Sequence, residues 1–353
     1  MNQVKKKNFA ISYIKGVAIL FIILIHLLDW GDIPVSETGR LLKQVLYTGV
    51  VFFMATAGSV VWIAYGKYDD LKKATKRLVW RGAQLIGIYY IYNIIKFFVF
   101  DFRTENFYSG FMQAGLFDLS DILLLKSYAV PIPILVTIGV FVMISPIFLF
   151  VVKKIKYGIW YVTGLFMALV AMNTYFPFPQ NVITDFLHAR GNITFSMIPW
   201  FMAFVLGFLV AYAGFEKQKK KFVLFFSACV PITLWYAQSK GLSFFLDNSL
   251  HPLQVHALGI SFAFMFLLIF LFEYKEKFLH KKYVRNSLSA LRFLGDSTLW
   301  LYVAHWIVID ITIWIFSPKT YLIWPSVSML LMGFLWWKRA KVQEYAQQYE
   351  VTE

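Results

Sequence analysis

Ionisable side chains stand in this chain where an apolar run would otherwise exclude them. Lys15 and His26 interrupt FAISYIKGVAILFIILIHLL, residues 9–28. They are eleven residues apart. At about 100° per residue that is three turns plus roughly 20°, so both lie on one face of a helix. At 1.5 Å of rise per residue they are separated by about 16 Å along the axis. Charge inside a bilayer is costly, and an ionisable group there marks a functional site turned toward the protein interior. A snorkelling lysine and a histidine at the headgroup boundary would produce the same pattern. His26, near the far end of its helix, has the chemistry of a general base toward a hydroxyl. Asp29 follows three residues later over the same face. It could orient the imidazole, or be simply the first loop residue.

Two further constellations carry chemistry. In KRLVWRGAQLIGIYYIY, residues 76–92, Arg77 and Arg81 are spaced i, i+4. Two guanidiniums on one face at a membrane boundary suit a phosphorylated ligand such as a nucleotide carrier. They suit lipid phosphate equally. Lys96 and Asn93 lie deeper in the same apolar stretch. In FLGDSTLWLYVAHWIVIDI, residues 293–311, Asp296 or Ser297 is placed to cap a helix start. Tyr302 and His305 follow at i, i+3, with Asp310 five residues further. This set reads either as part of a site or as a polar knot between helices.

The elements that must position these residues are membrane spans. Of 353 residues, 59% are hydrophobic, 20% aromatic and 15% charged, against about 25% charged in soluble domains. The mean hydropathy is +0.63. Ten apolar spans are expected, at about 9–28, 41–65, 78–100, 131–152, 157–175, 196–214, 221–238, 256–273, 297–316 and 320–337. With the N-terminus in the cytoplasm, the segments on the inner side hold 25 of the 34 basic residues and those outside hold seven. That is the positive-inside pattern. It predicts an all-α integral membrane protein of about ten transmembrane helices with both termini cytoplasmic. It also explains the net charge of +15 as a topology determinant facing anionic lipid, which removes nucleic acid as a partner.

The expected organisation is one polytopic domain over 1–340 and a short cytoplasmic tail over 341–353, multi-pass in the cell membrane. The first apolar run follows Lys5, Lys6 and Lys7 but has no small-residue cleavage site, so it reads as a retained helix. The one cysteine, Cys229, cannot form an internal disulfide, and nothing suggests a metal framework. The outer loops mix aromatic and polar residues. DWGDIPVSETGR carries Asp29, Asp32 and Glu37, and NTYFPFPQNVITDFLHARGN carries Asp185, His188 and Arg190. A stretch near 101–130 is the longest loop, with room for an interfacial helix. Such a face serves as a sugar-binding rim or as an aromatic belt.

With these residues in view the chain resembles the membrane-bound acyltransferase-3 family, in a superfamily that includes the heparan glucosaminide acetyltransferases. The opening is similar: a cation, ten residues, then histidine, here Lys15 and His26, where family members usually carry arginine first. Lysine cannot form arginine's planar fork. VFFMATAGSVVW (51–62) looks like the family's second helix, with Ala57-Gly58 where a Ser-Gly pair is usual. Arg77 and Arg81 look like its paired arginines, spaced one residue wider. SMIPWFMAFVLGFL (196–209) resembles its proline–tryptophan helix, and LGDSTLWLYVAH (294–305) its late signature ending in tyrosine and histidine. The resemblance spans nearly the whole chain.

The resemblance implies cross-membrane O-acyl transfer. Acyl-CoA, with acetyl-CoA foremost, would be the donor substrate, docking from the cytoplasm at Arg77, Arg81 and Lys96. Its thioester would reach toward Lys15 and His26. A hydroxyl on an extracytoplasmic cell-envelope glycan or glycolipid would attack, with His26 as base and Asp29, His305 and Tyr302 in the site. No metal takes part. The alternative role, proposed for some relatives, is an exporter or flippase of a polysaccharide or lipid-linked intermediate, which needs no thioester chemistry.

Overall fold

The structure, a computed structural model, describes residues 9–30, 37–99, 133–175, 197–214, 255–276, 281–316 and 320–350, with isolated positions between 221 and 239. Among these residues regular structure is helical throughout. There are eleven α-helices and one short 3₁₀ turn. They are α1 (Phe9–Trp30), α2 (Glu37–Tyr65), α3 (Leu71–Val99), α4 (Pro133–Lys154), α5 (Gly158–Tyr175), α6 (Met197–Tyr212), α7 (Val255–Glu276), α8 (Lys282–Asp296), α9 (Thr298–Phe316), α10 (Ile323–Trp337) and α11 (Arg339–Glu350). The 3₁₀ turn, Thr320–Leu322, leads into α10.

Six of the eleven, α1, α2, α3, α4, α7 and α9, are long and apolar enough to cross a membrane. A bilayer core takes about 20 helical residues. The chain is therefore a multi-pass membrane protein. Of the other expected spans, 157–175 is the 18-residue α5. Those at 196–214 and 320–337 contain the shorter apolar helices α6 and α10, of 16 and 15 residues. The span expected at 221–238 and the loop at 101–130 lie outside the described residues, apart from isolated positions in the former.

Three elements differ from the sequence reading. Helix α3 starts at Leu71, not at 78, because Asp70 caps it. The Lys73 amide donates to Asp70 Oδ1 at 3.0 Å, satisfying an otherwise orphaned donor. Arg77 and Arg81 thus stand in the second and third turns of the helix rather than at its start. A short amphipathic helix, α8, precedes α9 with only Ser297 between them. It buries Leu288, Ser289, Arg292, Phe293, Leu294 and Gly295. Its charged residues hide it from any hydropathy window. Most of the expected tail over 341–353 is helical too, as α11, and packs on α8.

Chain contacts define two compact units. The first comprises residues 1–56, 218–232 and 259–353. In it α1 packs on α8, α9 and α10, and α8 packs on α11. The α1–α8 seam is backbone against backbone: a Cβ on Gly16 would strike the Leu291 carbonyl, and one on Gly295 would strike the Ser12 carbonyl. Small residues permit such close approach where apolar area alone gives helices little reason to associate in lipid. Phe21, Phe52 and Phe264 gather α1, α2 and α7, with ring centroids 5.9–6.4 Å apart.

The second unit comprises 57–217 and 233–258. Its α3 and α4 meet through Gly82 and Gly139. Phe141 and Phe148 of α4 pack on Phe201, Phe204 and Phe208 of α6. The Ser59 hydroxyl donates to the Gly207 carbonyl at 2.9 Å and ties the end of α2 to α6.

Candidate functional site

In the first unit the contact between α1 and α9 brings His26 and His305 together. His26 Nδ1 and His305 Nε2 are 2.9 Å apart. The two rings are nearly coplanar, at 7°, with centroids 5.2 Å apart. That separation is the nitrogen–nitrogen distance plus about one ring radius at each end. The imidazoles are thus joined edge to edge and not laid face to face. His305 Nδ1 donates to the Leu301 carbonyl at 3.0 Å, one helical turn back. His305 is completely buried, whereas His26 is only partly so. The outer member of the pair is therefore the one a substrate could reach.

Aromatic rings close around the pair. Trp306 lies 4.4 Å from the His26 ring centroid and 5.5 Å from that of His305. Tyr302 meets His305 edge-on at 5.5 Å, and Phe53 of α2 packs on Tyr302 at 5.9 Å. Tyr302 and Asp310 are both buried on α9. The i, i+3 spacing of Tyr302 and His305 on one helix face makes this grouping possible. The second histidine's role as partner of the first depends on packing between helices.

Lys15 is not at the histidine pair. It is half-buried on α1, about 16 Å from His26 by helical rise. Asp29 belongs to α1, and its side chain lies outside the description. The Asp296 carboxylate reaches across to α1 and α11. Its Oδ1 accepts from the Ser12 hydroxyl and its Oδ2 from the Tyr345 hydroxyl, each at 2.8 Å. Ser297 occupies the joint between α8 and α9, its amide donating to the Phe293 and Leu294 carbonyls.

A polar cluster that the sequence reading did not single out occupies this end of α1. Ser12 stands one turn before Lys15. Arg292 of α8 is 1% exposed, and its guanidinium sits 4.1 Å from the Tyr345 ring centroid. Lys341 of α11 lies 5.5 Å from the same ring. Such contacts attract cations to the ring face. Burial and the hydrogen bond to Asp296 raise the Tyr345 hydroxyl to a pKa of about 12. Ser12, Lys15 and Gly16 share one helix face by spacing, but Ser12 and Gly16 were not among the candidate residues. Nothing in the sequence pointed to Tyr345.

The expected donor-side cations belong to the second unit. Arg77 and Arg81 are exposed on one face of α3. The Arg77 guanidinium donates to the Tyr68 hydroxyl and lies 5.5 Å from that ring's centroid. Tyr68 also receives Lys153 of α4 on its backbone carbonyl. Lys96 is 1% exposed and about 22 Å along α3 from Arg81 by helical rise. Neighbouring Asn93 is also buried, its amide donating to the Tyr89 carbonyl at 2.8 Å. Among the described residues there is no cluster of three metal-ligating side chains.

The arrangement can remove a proton from a hydroxyl at His26 and hold anions at separate cationic positions. Comparison with known proteins bears on what it does. The pattern of an acyltransferase domain, acyltransferase 3, matches residues 8–337. No curated protein and no solved structure matches the chain.

Proposed function

The chain belongs to the acyltransferase 3 family and is a membrane acyltransferase, and from that premise we propose that it carries acetyl groups across the membrane to a sugar hydroxyl. The donor is acetyl-CoA in the cytoplasm. The acceptor is a hydroxyl of an extracytoplasmic envelope glycan or glycolipid. Both termini lie in the cytoplasm, as the alternation of basic residues between segments supports.

The observation that carries this reading is the imidazole pair at 2.9 Å inside a bundle of membrane-spanning helices. His26 takes the proton from the acceptor hydroxyl as its oxygen attacks the thioester carbonyl. The carbon–sulfur bond breaks, and the thiolate leaves and receives the proton from His26. One acyl ester and one free thiol result. A positioned base of this kind contributes about 10²- to 10⁴-fold in rate. Tyr302 and Trp306 keep bulk water from the pair, and Asp29, three residues beyond His26 in the sequence, is the carboxylate assigned to orient the base. Lys15 offers a cation to the incoming donor. Arg77 and Arg81 hold its phosphates through charge-assisted bonds. Lys96, buried further along α3, is a further cation of this helix.

The test uses purified protein in lipid nanodiscs with radiolabelled acetyl-CoA, following thiol release and label transfer to isolated envelope glycan. Wild type should transfer label and His26→Ala should not. In parallel, mass spectrometry of envelope glycans should show O-acetyl groups lost when the gene is deleted. Glycans unchanged in acetylation, but reduced at the cell surface, would instead favour an exporter.

A further inference from the structure

We propose that His305 is a positioning residue that holds His26 in its Nδ1–H tautomer and thereby leaves Nε2 as the basic nitrogen. This rests on the reading of His26 as the base, and it specifies which of its two nitrogens does the work.

The argument starts at a group with no choice. The Leu301 carbonyl can only accept a hydrogen bond. His305 Nδ1, 3.0 Å away, must therefore carry a proton. Leu301 is four residues back on the same helix, so this bond follows from the rotamer of His305 and needs nothing from outside α9. A neutral imidazole has one N–H and one lone pair. With Nδ1 protonated, His305 Nε2 is an acceptor. The 2.9 Å contact to His26 Nδ1 then needs its proton from His26. In the neutral pair His26 is thus protonated at Nδ1 and bare at Nε2.

That assignment is not the one histidine would choose alone, since neutral histidine in water favours the Nε2–H form. The hydrogen bond made by one ring nitrogen decides the state of the other. The coplanar rings align the His26 N–H with the His305 lone pair, and hydrogen bonds are strongest in that linear geometry. The chain Leu301 carbonyl, His305, His26 is therefore a one-way relay of tautomer information that ends on a lone pair. It follows the general logic in which a third group orients the base, here with a neutral imidazole in that role. When His26 Nε2 accepts the hydroxyl proton, its Nδ1–H becomes part of an imidazolium. The bond to His305 becomes charge-assisted and stronger, and this favours the transition state over the ground state. Burial fits the division of labour, because His305 is sealed and His26 keeps an accessible edge.

The experiment is solid-state NMR of full-length protein in nanodiscs with nitrogen-15 histidine, the His26 signals being assigned by their loss in His26→Gln. Wild-type His26 should show a protonated Nδ1 and a bare Nε2. His305→Leu removes the acceptor. It should move the proton of His26 to Nε2 and lower turnover by about 10²-fold or more, with donor KM unchanged. His305→Gln offers a carbonyl oxygen near the lost Nε2. It should keep the wild-type tautomer and stay within about tenfold of wild-type turnover. A wild-type His26 protonated at Nε2 overturns the proposal, even if His305→Leu cannot be folded. So does a His305→Leu protein whose His26 tautomer is unchanged. A His305→Gln enzyme that keeps the tautomer yet loses turnover also overturns it, because His305 would then carry a proton itself. The NMR result needs no substrate. Failure of wild type to transfer acyl groups would sink the acyltransfer reading and leave the tautomer assignment to be judged separately.

Discussion

Gly295→Ala should break the seam that sets α1 against α8. In the native structure a Cβ at Gly295 would overlap the Ser12 carbonyl oxygen and lie 2.8 Å from the Ser12 carbonyl carbon and 3.0 Å from the Gly16 nitrogen. Ordinary contacts begin at 3.4 Å. These obstacles are backbone, so no rotamer change relieves them. The helices must part by about 1 Å, in packing that has no spare room. Overpacking of this kind costs about 1–3 kcal/mol. The parting also stretches the 2.8 Å bond from Ser12 to Asp296, a further loss of about 1 kcal/mol. Alanine returns about 0.5–1 kcal/mol through its helix propensity. A net destabilisation of about 1–3 kcal/mol is expected. Gly16→Ala meets the Leu291 carbonyl in the same seam and should behave alike. One displacement clears both clashes, so the double variant should cost less than the two singles together by about 1 kcal/mol. The assay is the monodisperse fraction on size exclusion after stepwise heating in detergent, with exposed Asn286→Ala as control. Each single variant should lose a few degrees. Wild-type Tm in both singles, or full additivity in the double, would refute the close crossing.

The other predictions concern the site and its surroundings. His26→Gln should lower turnover by about 10²- to 10⁴-fold while the protein still inserts, and a variant keeping more than about a tenth of wild-type turnover ends the base assignment. Lys15→Arg should remain active and Lys15→Met should not, measured by the same label transfer. Arg77→Ala and Arg81→Ala should each weaken acetyl-CoA binding by about 10-fold or more, the worth of a charge-assisted bond; unchanged affinity in both would assign these arginines to lipid phosphate. The Tyr345 hydroxyl, raised from its ordinary value to about 12, favours the neutral phenol in the folded state. Its contribution to docking α11 is therefore fully present below about pH 10 and lost as pH rises through about 12. A tyrosinate absorbance titration of wild type minus Tyr345→Phe should show that late step, and a step near 10 would mean the bond to Asp296 is absent. Cysteine labels at Lys154 should react only from the cytoplasmic face and labels at Asp118 only from the other, and one label on the wrong side would break the proposed topology.

The apolar spans were legible because a membrane helix must satisfy its backbone internally and present apolar side chains along its length. Composition and hydropathy alone therefore led to an all-helical multi-pass protein. The order of weak motifs from Lys15 to His305 led to the acyltransferase family. The candidate residues Lys15, His26, Lys96, Tyr302 and His305 were visible because each is a polar group where an apolar one is expected, and Arg77 and Arg81 because they are paired at i, i+4 on the membrane boundary. Helix α8 was not legible, because Lys281, Lys282, Arg285 and Arg292 look like a cytoplasmic loop to any average over a window. Nor was α11, whose buried face includes little more than Tyr345 and Ala346.

Periodicity places residues on the faces of their own helix and says nothing about which faces meet. His26 and His305 are 279 residues apart. The sequence offered Asp29 as the partner of His26 because Asp29 was one turn away. The tertiary structure supplied His305 because α1 packs on α9. The same holds for Asp296, which with Ser297 was one of two candidate helix caps in the sequence and which packing also bonds to Ser12 and Tyr345. What the sequence determined was the list of polar groups and the helices that carry them, since both follow from local chemistry in an apolar solvent. Which groups share a proton was decided only by tertiary packing. A hydrogen bond needs its two atoms within about 3 Å, and in a helix bundle only the crossing of distant segments sets such a distance.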